Sequence, residues 1–315
     1  MTKRVAFVFP GQGSQAVGMG QGWVERYPSA RRAFEEADDT LGQPISELCW
    51  HGPEEDLQLT ANTQPALLAS SVAILRVLQE MGIEPVVVAG HSLGEYSALV
   101  AAGSLEYPDA LRLVRRRGEA MQEAVPVGRG SMAAILGLDD SDVQAAASQA
   151  SGEEVCTVAN FNAPGQSVIA GHTAAVERAI ELCKEKGARR AILLPVSAPF
   201  HSPLMAPARA SLTPFLRQAT FEDPGVPVVT NIDAMPVKTG DAARDALRRQ
   251  IDGPVRWVES VEWMAGPGEA ELFVEVGPGK VLTGLNRRIA PQIKTVSLGE
   301  PEGIEKLHER LGKSI

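Results

Sequence analysis

Aromatic residues, cysteines and positive charge are all scarce in this 315-residue sequence, and each shortage excludes a class of protein. Aromatics make up 5% of the residues, so the core rests on aliphatic side chains, which favours layered α/β structure over an aromatic-rich β-sandwich. Cys49, Cys156 and Cys183 lack metal-ligand spacing and are odd in number, which indicates free thiols in a reducing compartment. The formal net charge of -9 argues against nucleic-acid binding, which needs concentrated positive charge.

Long apolar runs are also missing. No segment approaches the roughly 20 apolar residues that a membrane-spanning helix requires. The first apolar run, residues 5–9, is far too short for the core of a signal peptide. We therefore expect a cytoplasmic protein that does not enter a membrane. A length of 315 residues fits one large domain with a smaller insert.

Buried-strand patterns alternate with helical patterns along most of the chain, which predicts an α/β fold. Residues 5–9 and 86–89 are short apolar runs that end near glycine, as interior strands of a parallel sheet do. A long helical pattern begins with a cap at residues 63–65 and ends at Gly82. Further strands are predicted near residues 226–230, 272–276 and 295–298. We expect a large α/β-hydrolase-like domain with a mainly parallel sheet.

Between residues 127 and 197 the order changes to strand, helix, strand, strand, helix, strand. This order is typical of a ferredoxin-like unit. We therefore predict a ferredoxin-like small subdomain at 127–197, inserted into a large α/β catalytic domain made of 1–126 and 198–315. No linker marks these boundaries, which depend on the change of pattern alone.

A serine motif lies between a predicted strand and a predicted helix. Residues 90–94, GHSLG, match the G-x-S-x-G pattern. A tight strand-to-helix turn strains the serine backbone and exposes the hydroxyl at a helix N-terminus. Ser92 is therefore the candidate nucleophile, and the Leu93 backbone N–H is a candidate donor to an oxyanion. The alternative is an ordinary glycine-rich turn in which Ser92 caps the helix.

A serine hydroxyl needs a general base to attack near neutral pH, and the sequence has five histidines. Three are predicted to be solvated: His51, His172 and His308. The His91 side chain is predicted to diverge from that of its neighbour Ser92. His201 lies in a proline-containing loop after a predicted strand and remains as the base, the alternative being a structural loop histidine. Because no Asp or Glu has a distinctive setting, a backbone carbonyl is the expected partner of the imidazole.

Four short segments carry distinctive motifs: residues 7–15 (FVFPGQGSQ), 90–96 (GHSLGEY), 198–202 (APFHS) and 274–282 (VEVGPGKVL). Together, and in this order along the chain, they resemble the signatures of the malonyl-CoA:acyl-carrier-protein transacylases. The resemblance implies an acyltransferase that moves malonyl from malonyl-CoA, through a serine ester, to the phosphopantetheine thiol of acyl carrier protein in fatty-acid biosynthesis. It implies a monomer that needs no metal or redox cofactor, with the coenzyme A thioester as a substrate.

The resemblance also assigns catalytic roles to individual residues. Gln12 would shape the oxyanion hole together with the Leu93 amide. The main-chain carbonyl of Gln250 would accept the N–H of His201. This arrangement would explain the missing acid and give a Ser92–His201 dyad.

Substrate-binding residues are implied in the same way. Arg117 aligns with the arginine that binds the malonate carboxylate, while Arg115 and Arg116 are expected on a solvated helix face. A guanidinium suits this task because it makes two parallel hydrogen bonds to a carboxylate, which lysine cannot match. Phe200 is bulky where methylmalonyl-accepting members have a smaller residue, and so favours malonyl. Three polar residues are predicted to line the cleft, or else simply to form a turn: Asn160, Asn162 and Gln166.

Other functions share many of these residues. A serine hydrolase or thioesterase differs in letting water resolve the ester, and an acyltransferase of a polyketide pathway differs in its carrier. A non-catalytic binding module that keeps the fold is a further alternative, but the intact Gln12, Ser92, Arg117 and His201 argue against it. For docking of an acidic carrier we expect a basic patch, the alternative being ordinary solvated charges. Its candidate residues are Lys184, Lys186, Arg189, Arg190, Arg287 and Arg288.

Overall fold

The computed structural model describes residues 3–126, 128–196 and 198–312, which form two β-sheets flanked by helices. The strands are β1 (Val5–Phe9), β2 (Val87–Gly90), β3 (Gly130–Leu136), β4 (Cys156–Ala163), β5 (Gln166–His172), β6 (Arg190–Leu193), β7 (Val228–Val229), β8 (Pro236–Val237), β9 (Leu272–Glu275) and β10 (Lys294–Ser297).

The helices in the same residues are α1 (Gln21–Arg26), α2 (Pro28–Leu41), α3 (Ile45–His51), α4 (Glu54–Gln58), α5 (Thr60–Glu80), α6 (Gly94–Ala101), α7 (Tyr107–Glu123), α8 (Asp140–Ser151), α9 (Thr173–Glu185), α10 (Ala206–Gln218), α11 (Gly240–Gln250), α12 (Trp257–Ala265), α13 (Val281–Ile289) and α14 (Gly303–Leu311), with a 3₁₀ turn at Pro203–Met205. None of these helices combines the length and the apolar character that crossing a bilayer demands.

The larger sheet has the strand order β10-β9-β1-β2-β7-β8. Its first five strands pair in parallel, and β8 pairs antiparallel with β7. The carboxyl ends of parallel strands lie at one edge of a sheet, where open α/β folds place their sites. The segments that follow β1, β2 and β7 therefore meet at the same edge.

The central strand β1 is buried on both faces, as its continuous apolar run predicts. Phe7 and Phe9 enter a core that includes residues of α2, α5 and α7, whereas Ala6 and Val8 enter a second core with residues of α12 and α13. Successive side chains of a strand point to opposite faces, so one strand serves both cores. Full burial of each large apolar side chain contributes about 1.5–3 kcal/mol to this arrangement.

The smaller sheet has the order β4-β5-β3-β6, and all its neighbouring strands are antiparallel. Ala133 and Ile135 pack in a separate core with residues of α8 and α9. Met132 and Val168 belong instead to the large core, so the other face of this sheet packs against the rest of the protein. Val127 and Ser197, at the predicted limits of the small subdomain, lie outside the described residues.

Helix α5 begins at Thr60, so the predicted start at residues 63–65 is wrong, and Pro65 lies inside the helix. Proline has no N–H to donate to the carbonyl four residues earlier, which here is that of Ala61. Arg115 of α7 donates to this carbonyl at 2.7 Å and so satisfies it. A cap inferred from proline position misses such a contact because it comes from another helix.

Candidate active site

Ser92 lies in the turn between β2 and α6 with a left-handed backbone, φ 51°. A Cβ on Gly90 would lie 1.9 Å from the carbonyl carbon of Gly94, and a Cβ on Gly94 would lie 2.1 Å from the carbonyl oxygen of Phe9. Only glycine fits both positions, which explains the spacing of the motif. A left-handed non-glycine residue costs about 1–3 kcal/mol and is typical of a functional position.

His201 contacts the Ser92 hydroxyl. Its Nε2 lies 2.7 Å from Ser92 Oγ, and its Nδ1 lies 2.9 Å from the carbonyl oxygen of Gln250 and 3.2 Å from that of Gly253. A carbonyl can only accept, so Nδ1 carries the proton and the Nε2 lone pair faces the hydroxyl. This is the geometry of a general base held by main-chain carbonyls, without an acid.

The pKa of His201 is lowered from its ordinary 6.5 to about 3. Burial is the largest cause, followed by the positive charge of Arg117, while the hydrogen bonds to the Gln250 and Gly253 carbonyls act in the opposite direction. Between pH 6.5 and 3 the unfolded chain binds a proton that the folded chain does not. This histidine therefore destabilises the fold as the pH falls through that window, and it is a neutral base at neutral pH.

We expect the His201 ring to remain neutral from pH 8 down to about pH 5, because its pKa is depressed by burial. Imidazole NMR signals of protein labelled at histidine would measure this directly. His201→Asn, which removes one set of signals, assigns the ring. A titration midpoint for His201 near 6.5 would contradict the buried, unprotonated base.

Arg117 on α7 is only 2% exposed and lies beside the nucleophile. Its Nη2 donates to Ser92 Oγ at 3.0 Å and to Gln250 Oε1 at 2.9 Å, and its Nη1 donates to Gln64 Oε1 at 2.8 Å. It forms no ion pair within the residues that the structure describes. A buried guanidinium with only neutral hydrogen-bond partners is suited to receive an anionic group.

The two preceding arginines differ from each other. Arg116 is exposed and pairs with Glu119 at 2.9 Å, as expected for a solvated face. Arg115 is half-buried and donates to the Ala61 carbonyl and to Asn62 Oδ1, each at 2.7 Å. The prediction that Arg115 is solvated is therefore wrong, because α7 packs closely against the start of α5.

A cavity of about 190 Å³ opens over Ser92 between the two sheets. Its apolar wall includes Met121, Met132 and Val168. It is also lined by eight of the residues singled out from the sequence: Gln12, Ser92, Leu93, Arg117, Asn160, Asn162, Phe200 and His201. A larger surface groove of about 570 Å³, formed mainly by residues of α2, α7 and α10, contains none of these eight residues, so we assign the chemistry to the smaller cavity.

Two backbone donors lie free beside the nucleophile. Among the described residues, the N–H groups of Gln12 and Leu93 have no acceptor. Both residues line the cavity, and Leu93 immediately precedes α6, where the helix dipole favours negative charge. The side chain of Gln12 donates to Thr60 Oγ1 at 3.3 Å, which leaves its backbone as the group available to an oxyanion.

The polar residues of the small sheet separate into two groups. Asn162 lines the cavity, and its Oδ1 accepts from His91 Nε2 at 2.8 Å. Gln166 does not line it, so that prediction is wrong: its side chain accepts from Arg288 at 2.5 Å in a different cavity. Strand β4 continues to Ala163, which carries Gln166 beyond the two-residue turn and away from Ser92.

The other histidines make no hydrogen bond to the Ser92 hydroxyl, although His91 lines the cavity. His91 Nε2 bonds Asn162, and its ring lies 5.6 Å from that of Trp257, so His91 links the turn to its surroundings. His51 is exposed at the end of α3. His172 and His308 are half-buried rather than solvated. His172 Nδ1 accepts the backbone N–H of Val155 at 2.9 Å, a structural role that its sequence neighbours do not indicate.

Asn231 is a residue that the sequence reasoning missed. Its Oδ1 accepts from the Ser92 N–H and its Nδ2 donates to the Gly90 carbonyl, each at 2.6 Å, so it clamps the turn. It follows β7, the neighbour of β2 in the sheet. A polar residue just after a predicted strand was the available signal, but the order of the strands was needed to place it beside Ser92.

Comparisons with known proteins agree with this architecture. Residues 6–297 match the family model described as the acyl transferase domain. The malonyl CoA-acyl carrier protein transacylase of Escherichia coli K12 is 53% identical over 300 residues, which cover 95% of this chain and 97% of that protein. The crystal structure of an acyl carrier protein S-malonyltransferase from Vibrio cholerae superposes with a TM-score of 0.94 at 49% identity, covering 96% of this chain and 99% of that one.

A third similar protein is seen bound to its carrier. It is a malonyl-transacylase, PlMCAT, in complex with the type II PKS acyl-carrier protein AntF. The match has a TM-score of 0.95 and 46% identity, and it covers 98% of this chain and 99% of that one. By sequence and by fold, this chain belongs to the acyl transferase domain family and, within it, to the malonyl CoA-acyl carrier protein transacylases.

Proposed function

We propose that this protein transfers a malonyl group from malonyl-CoA to the phosphopantetheine thiol of an acyl carrier protein, through a malonyl ester of Ser92, in fatty-acid biosynthesis. One observation carries the proposal: Ser92 Oγ lies 2.7 Å from a neutral imidazole nitrogen and 3.0 Å from a buried guanidinium. The first contact suits attack on a thioester. The second suits an acyl group that ends in a carboxylate, as the names of the relatives indicate for theirs.

In the first half-reaction, Ser92 Oγ attacks the thioester carbonyl as His201 Nε2 takes the hydroxyl proton. The carbon–oxygen bond forms, and the negative charge develops on the former carbonyl oxygen. The free N–H groups of Leu93 and Gln12 stabilise that oxyanion, a contribution typically worth about 10²–10³ in rate per donor. The tetrahedral intermediate then expels the sulfur, which receives the proton from His201 and leaves as coenzyme A.

In the second half-reaction, the carrier thiol replaces coenzyme A. His201 takes the thiol proton, the sulfur attacks the ester carbonyl, and the bond to Ser92 Oγ breaks as the proton returns to that oxygen. Malonyl carrier protein and free enzyme result. The thiol that leaves in the first half-reaction and the thiol that attacks in the second are of the same chemical type, so one base and one oxyanion hole serve both half-reactions. His201 passes on each proton that it accepts within the same half-reaction, and the proposed cycle uses no metal or redox cofactor.

The guanidinium of Arg117 would bind the malonyl carboxylate. In the free enzyme one of its N–H groups is held by Ser92 Oγ. Once that oxygen is acylated, the N–H is released to a carboxylate in the same cavity. Gln64 and Gln250 keep the guanidinium in place meanwhile. Burial strengthens this recognition, because the charge is poorly screened by water.

A serine hydrolase is the principal alternative, and the fate of the acyl-enzyme distinguishes it. We expect isolated malonyl-enzyme to release free malonate slowly and to lose its acyl group rapidly when carrier protein bearing phosphopantetheine is added. Quantifying malonate with and without carrier tests this, with carrier lacking phosphopantetheine as the control. Equal rates of malonate release in all three samples would indicate a hydrolase.

Phe200 would exclude branched acyl groups. It lines the cavity beside His201 and is only 7% exposed. We expect Phe200→Ser to raise kcat/KM for methylmalonyl-CoA relative to malonyl-CoA by about 10–100-fold, the usual worth of one methyl group in a tight pocket. Phe221→Ser, a buried phenylalanine outside the cavity, is the matched control. An unchanged ratio in Phe200→Ser would contradict steric exclusion.

Docking of the carrier remains a proposal with a revised set of residues. Lys184 pairs with Glu181 at 2.7 Å and Lys186 with Asp142 at 3.2 Å, so part of the predicted patch is neutralised. Arg288 donates to the Pro164 carbonyl as well as to Gln166. Arg189 and Arg190 line the same cavity as Arg288, whereas Arg287 lines a different one. We therefore favour Arg189 and Arg190 as the carrier contacts.

The finer descriptions of the fold are part of the same proposal. The small sheet and its two helices would be a ferredoxin-like subdomain over 127–197, supported by the order β4-β5-β3-β6 and by its separate core. The rest, 1–126 and 198–315, would be a hydrolase-like catalytic domain, supported by the serine at a strand-to-helix turn. We further propose that the enzyme is a cytoplasmic monomer.

A further inference from the structure

Glu95 is a buried carboxylate that the mechanism above does not use. It lies on the first turn of α6, three residues after the nucleophile, and is 1% exposed. Its Oε2 accepts from the Asn231 N–H at 2.8 Å and from Gln250 Nε2 at 2.9 Å. Burying a carboxylate is costly unless its hydrogen bonds repay the lost hydration. A buried carboxyl group next to the turn that carries Ser92 is therefore expected to have a specific role.

The side chain of Gln250 connects this carboxylate to the substrate-binding arginine. Its Nε2 donates to Glu95 Oε2 and to the Ser92 carbonyl, each at 2.9 Å, and its Oε1 accepts from Arg117 Nη2, also at 2.9 Å. The main-chain carbonyl of the same residue holds His201. Gln250 is fully buried, so these hydrogen bonds are shielded from bulk solvent.

The orientation of the Gln250 amide decides whether Arg117 is held. An amide presents an acceptor on one side and donors on the other, whereas a guanidinium has donors only. In the observed orientation the oxygen faces Arg117, and the reversed one would place two sets of donors against each other. Glu95 Oε2 accepts the Asn231 N–H as well as Gln250 Nε2, so this oxygen is an acceptor even though burial raises the pKa of the carboxyl to about 7. Glu95 therefore favours the orientation in which the Gln250 nitrogen faces it and the Gln250 oxygen faces Arg117.

We propose that Glu95 is a positioning residue for recognition of the acyl carboxylate: through the Gln250 amide it keeps the Arg117 guanidinium aimed at the site above Ser92. This inference rests on the proposed function, since it concerns the group that distinguishes malonyl from uncharged acyl chains. Glu95 does not line the cavity over Ser92. Its effect passes through two hydrogen bonds, Glu95 to Gln250 and Gln250 to Arg117.

The test compares kcat/KM for malonyl-CoA and acetyl-CoA, with carrier as acceptor, in variants at position 95. Glu95→Met removes the acceptor while filling a similar volume. We expect its malonyl-over-acetyl preference to fall about 10–100-fold, mainly through KM for malonyl-CoA, because a displaced binding group typically costs up to about 10². Glu95→Gln retains an acceptor oxygen for Gln250 and Asn231 and is expected to restore most of the preference.

A matched control comes from a second buried carboxylate. Glu275 is fully buried and accepts from the Leu282 and Thr283 N–H groups at 2.9 and 2.8 Å, but it does not line the cavity over Ser92. We expect Glu275→Met to lower the melting temperature and to leave the acyl preference unchanged. Melting curves of all variants separate loss of fold from loss of specificity.

A double variant tests the route through Gln250. Gln250→Met removes the amide and leaves the main-chain carbonyl that holds His201, so it also tests the link if Glu95→Met does not fold. We expect the preference of Glu95→Met/Gln250→Met to equal that of Gln250→Met alone, because both changes break one connection.

Three results would overturn the inference. The first is an equal loss of malonyl and acetyl transfer in Glu95→Met or, if that variant does not fold, in Gln250→Met. The second is a malonyl-over-acetyl preference in Glu95→Gln as low as that in Glu95→Met. The third is a loss of preference in the double variant that equals the sum of the losses in the two single variants. Absence of malonyl preference in the unmodified enzyme would instead refute the proposed function.

Discussion

Replacing Ser92 by alanine is expected to lower the rate of malonyl transfer by about 10⁶, the loss typical of removing the nucleophile of a serine enzyme. The hydroxyl contacts both the neutral imidazole of His201 and the guanidinium of Arg117. Without the hydroxyl no ester forms. The carrier thiol would then have to attack malonyl-CoA directly, with both substrates bound in the cavity at once. Binding of malonyl-CoA should survive, because Arg117 remains.

The measurement is steady-state transfer to the carrier together with intact mass after incubation with malonyl-CoA. Ser97→Ala is the matched control, since Ser97 lies on α6, is 1% exposed and does not line the cavity over Ser92. The control should acquire one malonyl group, and Ser92→Ala none. Transfer by Ser92→Ala at a rate near that of the control would refute covalent catalysis at this residue.

Replacing Arg117 by alanine is expected to reduce kcat/KM for malonyl-CoA by about 10²–10³. Truncating one partner of a buried charge pair costs about 2–5 kcal/mol, and each 1.4 kcal/mol is tenfold. Transfer of acetyl groups should be unchanged or faster, because an uncharged acyl chain gains nothing from the guanidinium and profits from the space that it leaves. Arg117→Lys should recover only part of the loss, since an ammonium cannot form the paired hydrogen bonds.

The malonyl-over-acetyl ratio of kcat/KM is the informative quantity, because any general damage to the enzyme cancels in it. Arg116→Ala provides the control: it removes an arginine from the adjacent, exposed position of the same helix. Its ratio should match that of the unmodified enzyme. An unchanged ratio in Arg117→Ala would mean that the carboxylate is bound elsewhere.

Local sequence patterns were enough to predict the central strands β1 and β2 and the turn that carries Ser92. The apolar run at Val5–Phe9 and the glycine-flanked serine each reflect a constraint within a few residues: burial on both faces in one case and a turn too tight for a Cβ in the other. The mainly parallel sheet of the predicted fold is also confirmed. Helix ends were less accurate, as α5 illustrates, because a partner from α7 satisfies the carbonyl that Pro65 leaves free.

Contacts between distant segments could not be predicted from the residues alone. Periodicity does not distinguish Arg115 from Arg117, and only the packing of α7 against α5 makes one a structural donor and the other a group beside Ser92. Asn231 and Glu95 escaped notice for the same reason: Asn231 reaches Ser92, and Glu95 reaches Asn231 and Gln250, across long sequence separations that only the fold closes. Gln166 was misplaced because the length of β4, and not the polarity of the glutamine, decides whether Gln166 lies in the cavity over Ser92 or beside Arg288.

Peptide mapping of the acyl-enzyme provides the most decisive experiment. The unmodified protein would be incubated separately with malonyl-, methylmalonyl- and acetyl-CoA, digested, and searched for the acylated peptide, before and after addition of carrier bearing phosphopantetheine. We expect a malonyl ester on Ser92, little product from the other two thioesters, and loss of the ester to the carrier thiol. Acylation of another residue, or an ester on Ser92 that the carrier does not remove, would contradict the proposed transferase.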